Sequence, residues 1–473
     1  MTTLEPLFHP KSIAVIGASA GVSATGAPKM GAAALNHLVD HGFPGAVHPV
    51  NPRHRELAGR PCYPRVGDIP GPVDLALILL PAADCVAALR DCAAKGVRAA
   101  IVFSSGFAEA GDAALQAELA RVARDAGIRV CGPNTAGFVD LGANMVASIS
   151  MVCAINPFRR GPVAFVTQSG ALGGSMLGRG MEEGIGFSHW VATGNEADID
   201  VAEYIDYLVD QDPVRVIALF LEGVRDGPAF LRACARAAAA GKPIVVYKTG
   251  VSEVAAAAAA SHTGAMAGSD RVFDAVCRQQ GLVRVDDVGD LFRVAQTFAW
   301  LEGKLPAGRR MGIVSASGGI CGVAADECHR FGLDIPRLSG AAQDRIRAVV
   351  PAFAAVVNPI DVTGQIRSSA TGYQDTVRIV LQQDEIDGVL LLVTMAGEPR
   401  ASFYGREISR LARESGKPVV VAWTGALSVA RQGYPMLREN RVPNFLTVRE
   451  AVRAMAAAAD YAAFRRRHGG GAP

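Results

Sequence analysis

None of the nine cysteines forms a C-x-x-C pair, and none stands at a metal-ligand spacing from a histidine. A structural zinc and a disulfide framework both need such regular spacing, so neither is expected, and scattered thiols fit a reducing compartment. No apolar run reaches the roughly 18 residues a membrane helix requires, and the N-terminus has no charged region followed by an apolar core. A soluble, cytoplasmic protein is therefore expected. Charge is scarce and balanced: 19% of residues are charged and the formal net charge is +2. The only basic cluster, Arg465-Arg466-Arg467, runs into a Gly-rich tail, which argues against a nucleic-acid face. The chain also lacks a G-x-x-x-x-G-K-[ST] loop, which excludes a Walker-type nucleotide site.

What is present is apolar bulk. Half of the 473 residues are hydrophobic, enough for roughly three domains of about 150 residues each. Short β-branched runs alternate with Ala/Leu-rich segments of helical period. Ser12–Ile16, Val73–Leu80 and Ala99–Phe103 read as buried parallel strands, and a helix around Cys85–Lys95 ends at Gly96. Strand, helix, strand in succession means parallel α/β sheets with right-handed crossovers. A repeat adds to this. Val163–Gly170 aligns with Met311–Gly318, and Gly241–Gly250 with Gly416–Gly425. The expected architecture is α/β throughout, a Rossmann-like domain over residues 1–150 followed by two flavodoxin-like doubly wound sheets over 151–303 and 304–473.

The candidate sites are strand-end turns. Gly17-Ala18-Ser19 follows the first strand, with Gly26 and Gly31 beyond it, and lets the backbone approach a diphosphate at a helix N-terminus. NAD, a CoA diphosphate or tight packing alone would each use such a turn. Asn51-Pro52-Arg53, Leu80-Pro81-Ala82 and Ser104-Ser105-Gly106-Phe107 follow later strands, and such loops converge on one crevice in an open parallel sheet. Lys29 and Arg53 are placed to meet phosphate. Gln168-Ser169-Gly170 opens a small-residue helix whose free N–H groups suit an anion or, alternatively, a close helix–sheet contact. Gly132-Pro133-Asn134 and Gly194-Asn195-Glu196 are further strand-end turns.

His262, in Ser261-His262-Thr263-Gly264, is absent from the corresponding stretch of the second repeat. A histidine among phosphate-binding turns suits a side chain that accepts and passes on a phosphoryl group. Glu222 ends the apolar strand Val216–Leu221, where a carboxylate could orient an imidazole or cap the next helix. His9, His37, His41, His48, His54 and His468 lie among polar or turn residues and are expected at the surface. Cys321 is read as a small buried residue rather than a nucleophile.

Together Gly17-Ala18-Ser19, Val50-Asn51-Pro52, Ser105–Glu109, Gly132-Pro133-Asn134, Gln168-Ser169-Gly170, Gly194-Asn195, Glu222-Gly223, Ser261–Gly264, Ser317-Gly318-Gly319 and Asn358–Gly364 occur in an order that resembles the NDP-forming acyl-CoA synthetases. This is the superfamily of succinyl-CoA synthetase and ADP-forming acetyl-CoA synthetase. The resemblance implies coenzyme A held by Gly17, Ala18, Ser19, Lys29, Asn51, Pro52, Arg53, Pro81, Ser104, Ser105 and Gly106, and phosphate by Gln168, Ser169 and Gly170. It also implies substrate contacts from Asn134 and Asn195, transient phosphorylation of His262, and steadying of that histidine by Glu222. The family's ATP-grasp module is not in this sequence, so an α-type subunit is expected. Its partner chain would supply ATP or ADP and Mg²⁺, in an oligomer whose docking face is partly apolar. Two other readings compete. An NAD(P)-dependent dehydrogenase is disfavoured because no acidic residue closes the strand before Asn51-Pro52, and a CoA sensor without chemistry would bind CoA but never take up phosphate.

Overall fold

A computed structural model describes residues 4–22, 26–255, 269–368 and 371–469. The chain divides into two compact units, Met1–Phe292 and Arg293–Pro473. No helix among the described residues is long and apolar enough to cross a membrane.

Among the described residues the first unit holds two large sheets and a separate two-stranded ribbon. In the first sheet, β1 (Ser12–Ile16) and β2 (Ala46–Val50) are followed by a short antiparallel ribbon of β3 (Glu56–Leu57) and β4 (Arg60–Pro61). Then β5 (Leu75–Ile78), β6 (Ala99–Val102) and β7 (Arg129–Cys131) complete a parallel sheet in the order β2-β1-β5-β6-β7. The second sheet comprises β8 (Gly137–Asp140), β9 (Met145–Ser148), β10 (Arg160–Thr167), β11 (Phe187–Ala192), β12 (Val216–Leu221), β13 (Ile244–Lys248) and β14 (Val283–Arg284). Its order is β14-β13-β12-β10-β11-β8-β9. The second unit holds the third sheet, with β15 (Met311–Ser315), β16 (Ile360–Asp361), β17 (Gly388–Val393), β18 (Val419–Trp423) and β19 (Asn444–Phe445) in the order β16-β15-β17-β18-β19.

Counted by first appearance, the parallel strands of every sheet run 2-1-3-4-5, the doubly wound order. The sequence repeat falls on the first and fourth strands of the last two sheets. β10 and β15 each turn into a helix at a Ser-Gly pair, Gly170–Glu182 and Gly318–Arg330, while β13 and β18 carry the second matched stretch.

Strand alternation explains the core. Ile13, Val15, Leu75, Leu77 and Ile101 face a core continuous with Ala164, Val166, Val191, Ile217 and Leu219 of the second sheet. Their neighbours Ala14, Ile16, Ala76 and Ile78 pack on the other face, so both faces are covered and the strands read as unbroken apolar runs. β1 spans the expected residues. The expected strand over 73–80 is trimmed to Leu75–Ile78, and the helix expected around Cys85 begins at Ala82 and ends at Gly96, whose φ is +82°.

Two differences from the sequence reading matter. The hairpin β8–β9 precedes residue 150 yet belongs to the second sheet, where β8 pairs antiparallel with β11. Without it β11 would present an open edge. His37, expected at the surface, is buried because its helix, Met30–Asp40, packs on β9 and its Nδ1 donates to the Ser148 carbonyl at 2.8 Å. Burial holds its pKa below the ordinary histidine value.

Candidate active site at the carboxyl ends of the strands

β1 delivers Gly17, whose φ of +87° and position require glycine, since a Cβ would fall 2.6 Å from the Leu79 carbonyl oxygen. Its N–H donates to the Val50 carbonyl at 3.0 Å, joining the ends of β1 and β2. Gly31, in the first turn of helix Met30–Asp40, is pressed onto the same turn: a Cβ there would lie 2.2 Å from Gly17 O. Asn51 fixes the next loop by donating from Nδ2 to Ala18 O (2.8 Å) and accepting Arg53 N–H at Oδ1 (2.9 Å). Gly17, Asn51, Pro52 and Arg53 thus line one cleft of about 440 Å³, together with Arg65, Asp84 and Asp91. The close backbone packing and two arginines suit a phosphate-bearing ligand. Ala18 is buried, while Lys29 and Pro81 are exposed caps of helices Met30–Asp40 and Ala82–Lys95. These three, with Ser19 and Gly106, stand outside the walls of this cleft and of the larger one beside it.

The larger cleft, about 1160 Å³, brings together Ser104, Ser105, Asn134, Gln168, Ser169, Gly170 and Asn195. Met30, Phe103, Ile149, Met151 and Val152 give it apolar walls. Two loops hold it open. Asn134, at φ +57°, receives its position from its own N–H, which donates to Ser104 O at 2.9 Å. The loop after β11 is zipped to it: Asn195 N–H donates to Pro133 O (2.8 Å), Ala197 N–H to Gly132 O (2.9 Å), and Asn134 Nδ2 to Asn195 Oδ1 (3.1 Å). Beneath them Arg129 of β7 is buried and paired through Nε with Asp198 (3.0 Å) and through Nη2 with Glu203 (2.8 Å).

The helix Gly170–Glu182 starts at this cleft. Its first backbone bond is Gly173 N to Ser169 O (3.0 Å), so the N–H groups of Gly170, Ala171 and Leu172 have no intrahelical acceptor and present the positive helix end. Close helix–sheet contact is also real here. A Cβ on Gly173 would meet the Thr167 side chain at 2.4 Å. Gln168 lines the cleft and also ties it to the loop after β12. Its Oε1 accepts the N–H groups of Glu222 (2.6 Å) and Gly223 (3.0 Å), and its Nε2 donates to Gly223 O (2.8 Å) and Glu196 Oε1 (2.9 Å). Its amide is hydrogen-bonded within the chain, while Ser169 and Gly170 beside it sit at the open helix end.

Glu222 is buried at the end of β12. It does not cap the following helix, Gly227–Ala239, because Asp226 does so by accepting Ala229 N–H at 2.8 Å. His262, with Ser261, Thr263 and Gly264, lies outside the described residues. In the second unit Cys321 is buried and its thiol is pushed up to about 12 by desolvation, which disfavours a thiolate.

One residue at this site was not singled out in the sequence. Glu196, buried at φ +53°, accepts Gln168 Nε2 and Thr193 Oγ1 at Oε1, both at 2.9 Å. Among the described residues its Oε2 accepts no hydrogen bond, and Arg225 Nε is 4.0 Å away. Burial pushes its pKa up to about 7. The signal available in the sequence was a carboxylate directly after Gly194-Asn195 in a strand-end loop, the same placement that drew attention to Glu222.

Comparison with known proteins agrees with this geometry. Three family models cover the chain in succession: a CoA binding domain over residues 11–140, a succinyl-CoA ligase-like flavodoxin domain over 160–298, and a ligase-CoA domain over 311–468. The α subunit of acetate–CoA ligase (ADP-forming) I of Pyrococcus furiosus is 35% identical over 477 residues, covering 98% of this chain and 99% of that subunit. Acetate–CoA ligase (ADP-forming) I of Archaeoglobus fulgidus is 36% identical over 460 residues, and the chain spans 64% of its length. The solved structure of acetyl-coenzyme A synthetase 1 of Ca. Korarchaeum cryptofilum, in complex with phosphate and ADP, superposes with a TM-score of 0.89 at 34% identity over 98% of both chains. With matched domains in matched order and near-complete coverage, the chain belongs to the NDP-forming acyl-CoA synthetases, the ligase superfamily of succinyl-CoA synthetase and ADP-forming acetyl-CoA synthetase.

Proposed function

We propose that the chain is the α-type subunit of an ADP-forming acyl-CoA synthetase and that His262 carries the phosphoryl group between two half-reactions. The observation that carries this reading is an open helix N-terminus at Ser169–Gly170 bordering the larger cleft, with Gln168 of the same turn holding the backbone of Glu222 at the end of β12. Coenzyme A would lie with its phosphates toward Arg53 and Arg65 in the smaller cleft and its thioester in the larger one. Phosphate oxygen attacks the thioester carbonyl there, giving acyl phosphate and the CoA thiolate, which takes up a proton. An imidazole nitrogen of His262 then attacks phosphorus and the carboxylate leaves. Phosphohistidine finally transfers to ADP, restoring the imidazole and releasing ATP. Each step has a good leaving group, and the N–H groups of the first helical turn stabilise the charge on the moving phosphoryl group.

ADP and Mg²⁺ belong on a partner β-type chain in this reading. Support comes from the Pyrococcus furiosus relative, matched over nearly its full length and named as an α subunit, and from the greater length of the Archaeoglobus fulgidus protein. The test is incubation with acetyl-CoA and radiolabelled phosphate, repeated with other acyl-CoAs and with a co-expressed partner. A phosphoryl adduct that is acid-labile, base-stable and lost in His262→Ala is expected. CoA binding without an adduct under any of these conditions would favour a sensor over a ligase.

A further inference from the structure

A hydrogen-bonded path joins the CoA-side loop to the Glu222 loop. Glu109 Oε1 accepts the N–H groups of Gly106 (2.6 Å) and Phe107 (3.3 Å), and its Oε2 accepts Asn195 Nδ2. Asn195 Nδ2 also donates to Gln116 Oε1 at 2.9 Å. The next residue, Glu196, accepts Gln168 Nε2, and Gln168 Oε1 in turn holds the N–H groups of Glu222 and Gly223. Asn195 and Glu196 are both buried, so each misplaced partner would leave a polar group unpaired at a cost that keeps the path in register.

We infer that Glu196 is a positioning residue for phosphoryl transfer, acting through Gln168 to set the backbone that presents Glu222. This rests on the ligase reading above. Glu196 itself touches no reacting atom. Its Oε1 takes two donors, and both bonds tighten when the carboxyl is ionised, because a charged acceptor binds a neutral donor more strongly than a neutral one does. The charged and titratable groups facing it are Arg225 from the loop after β12, Asp200 in its own loop, Tyr204 on helix Val201–Val209 and Cys131 at the end of β7. Burial opposes the carboxylate most strongly, with Asp200 adding to it, while the hydrogen bonds from Gln168 and Thr193 and the charge of Arg225 favour it, so ionisation falls at about 7.

The experiment follows phosphoryl incorporation from acetyl-CoA and inorganic phosphate across pH in the full-length chain with its nucleotide-binding partner. Wild type is compared with Glu196→Gln and Arg225→Ala. Glutamine keeps the acceptor oxygen at Gln168 but never ionises. A ratio cancels the pH dependence that the three proteins share, so the readout is the ratio of variant to wild-type kcat against pH. For Glu196→Gln this ratio should be near one at about pH 5.5 and fall to about one tenth at about pH 8.5, with KM for acetyl-CoA unchanged. Arg225→Ala should shift the wild-type inflection to higher pH. A pH-independent ratio, or a change confined to KM, overturns the positioning role while leaving the ligase reading intact. Absence of phosphoryl incorporation in the wild type overturns both.

Discussion

Glu196 sets two demands against each other. A buried carboxyl whose pKa is about 7, against an ordinary 4.5, binds its proton more tightly folded than unfolded. Stability is therefore undiminished below about pH 4.5 and falls as pH rises to about 7, with a total cost on the order of 3 kcal/mol. Glu196→Gln removes the titration. Urea denaturation should show the variant gaining on wild type between pH 4.5 and pH 8 by up to about 3 kcal/mol, and a difference that stays flat with pH would refute the assignment. The charged form that best holds Gln168 is thus the form that costs the fold most. Part of this site was legible in the sequence: Gly17, Ser169-Gly170, Asn195 and Glu222 all follow strands, and strand ends collect ligands. The partners of Gln168 were not. They lie 28, 54 and 55 positions away, and only the tertiary fold brings them together. Positive φ at Asn134 and Glu196 was equally hidden, since neither residue is glycine.

Among the elements, the one most finely fitted is the N-terminus of helix Met30–Asp40. With a Gly31 Cβ placed 2.2 Å from Gly17 O, Gly31→Ala must push the helix off the β1 turn. Overpacking of this kind costs about 1–3 kcal/mol, and here it also moves backbone that borders the smaller cleft. Calorimetric titration should show CoA affinity at least about tenfold weaker, with the second unit's secondary structure unaffected; unchanged affinity would place CoA elsewhere. Element types were readable because strands buried on both faces give unbroken apolar runs, as β1 and β12 do. The hairpin β8–β9 escaped for the same reason. All eight of its strand residues are buried, so no alternation marks its faces, and its partner β11 lies some fifty residues further on.

At the scale of the molecule, two compact units share one topology: the parallel strands of three sheets run 2-1-3-4-5, and the loops lining both described clefts belong to the first unit. A ligand of the first unit should therefore stabilise that unit alone. Scanning calorimetry is expected to resolve two transitions, of which CoA at about 100 times its Kd raises only one, by about 2.7 kcal/mol. A single transition that moves as a whole would refute independent units. The placement of β8 and β9 carries a further consequence for how such enzymes can be recombined. Their residues, Gly137–Ser148, follow the first sheet in the chain but are hydrogen-bonded into the second, and His37 of a first-sheet helix anchors on Ser148. The two layers therefore exchange parts, and a module boundary drawn after the hairpin would strip the second sheet of its edge. A functional chimera has to be cut between β7 and β8, or has to carry both layers from one parent.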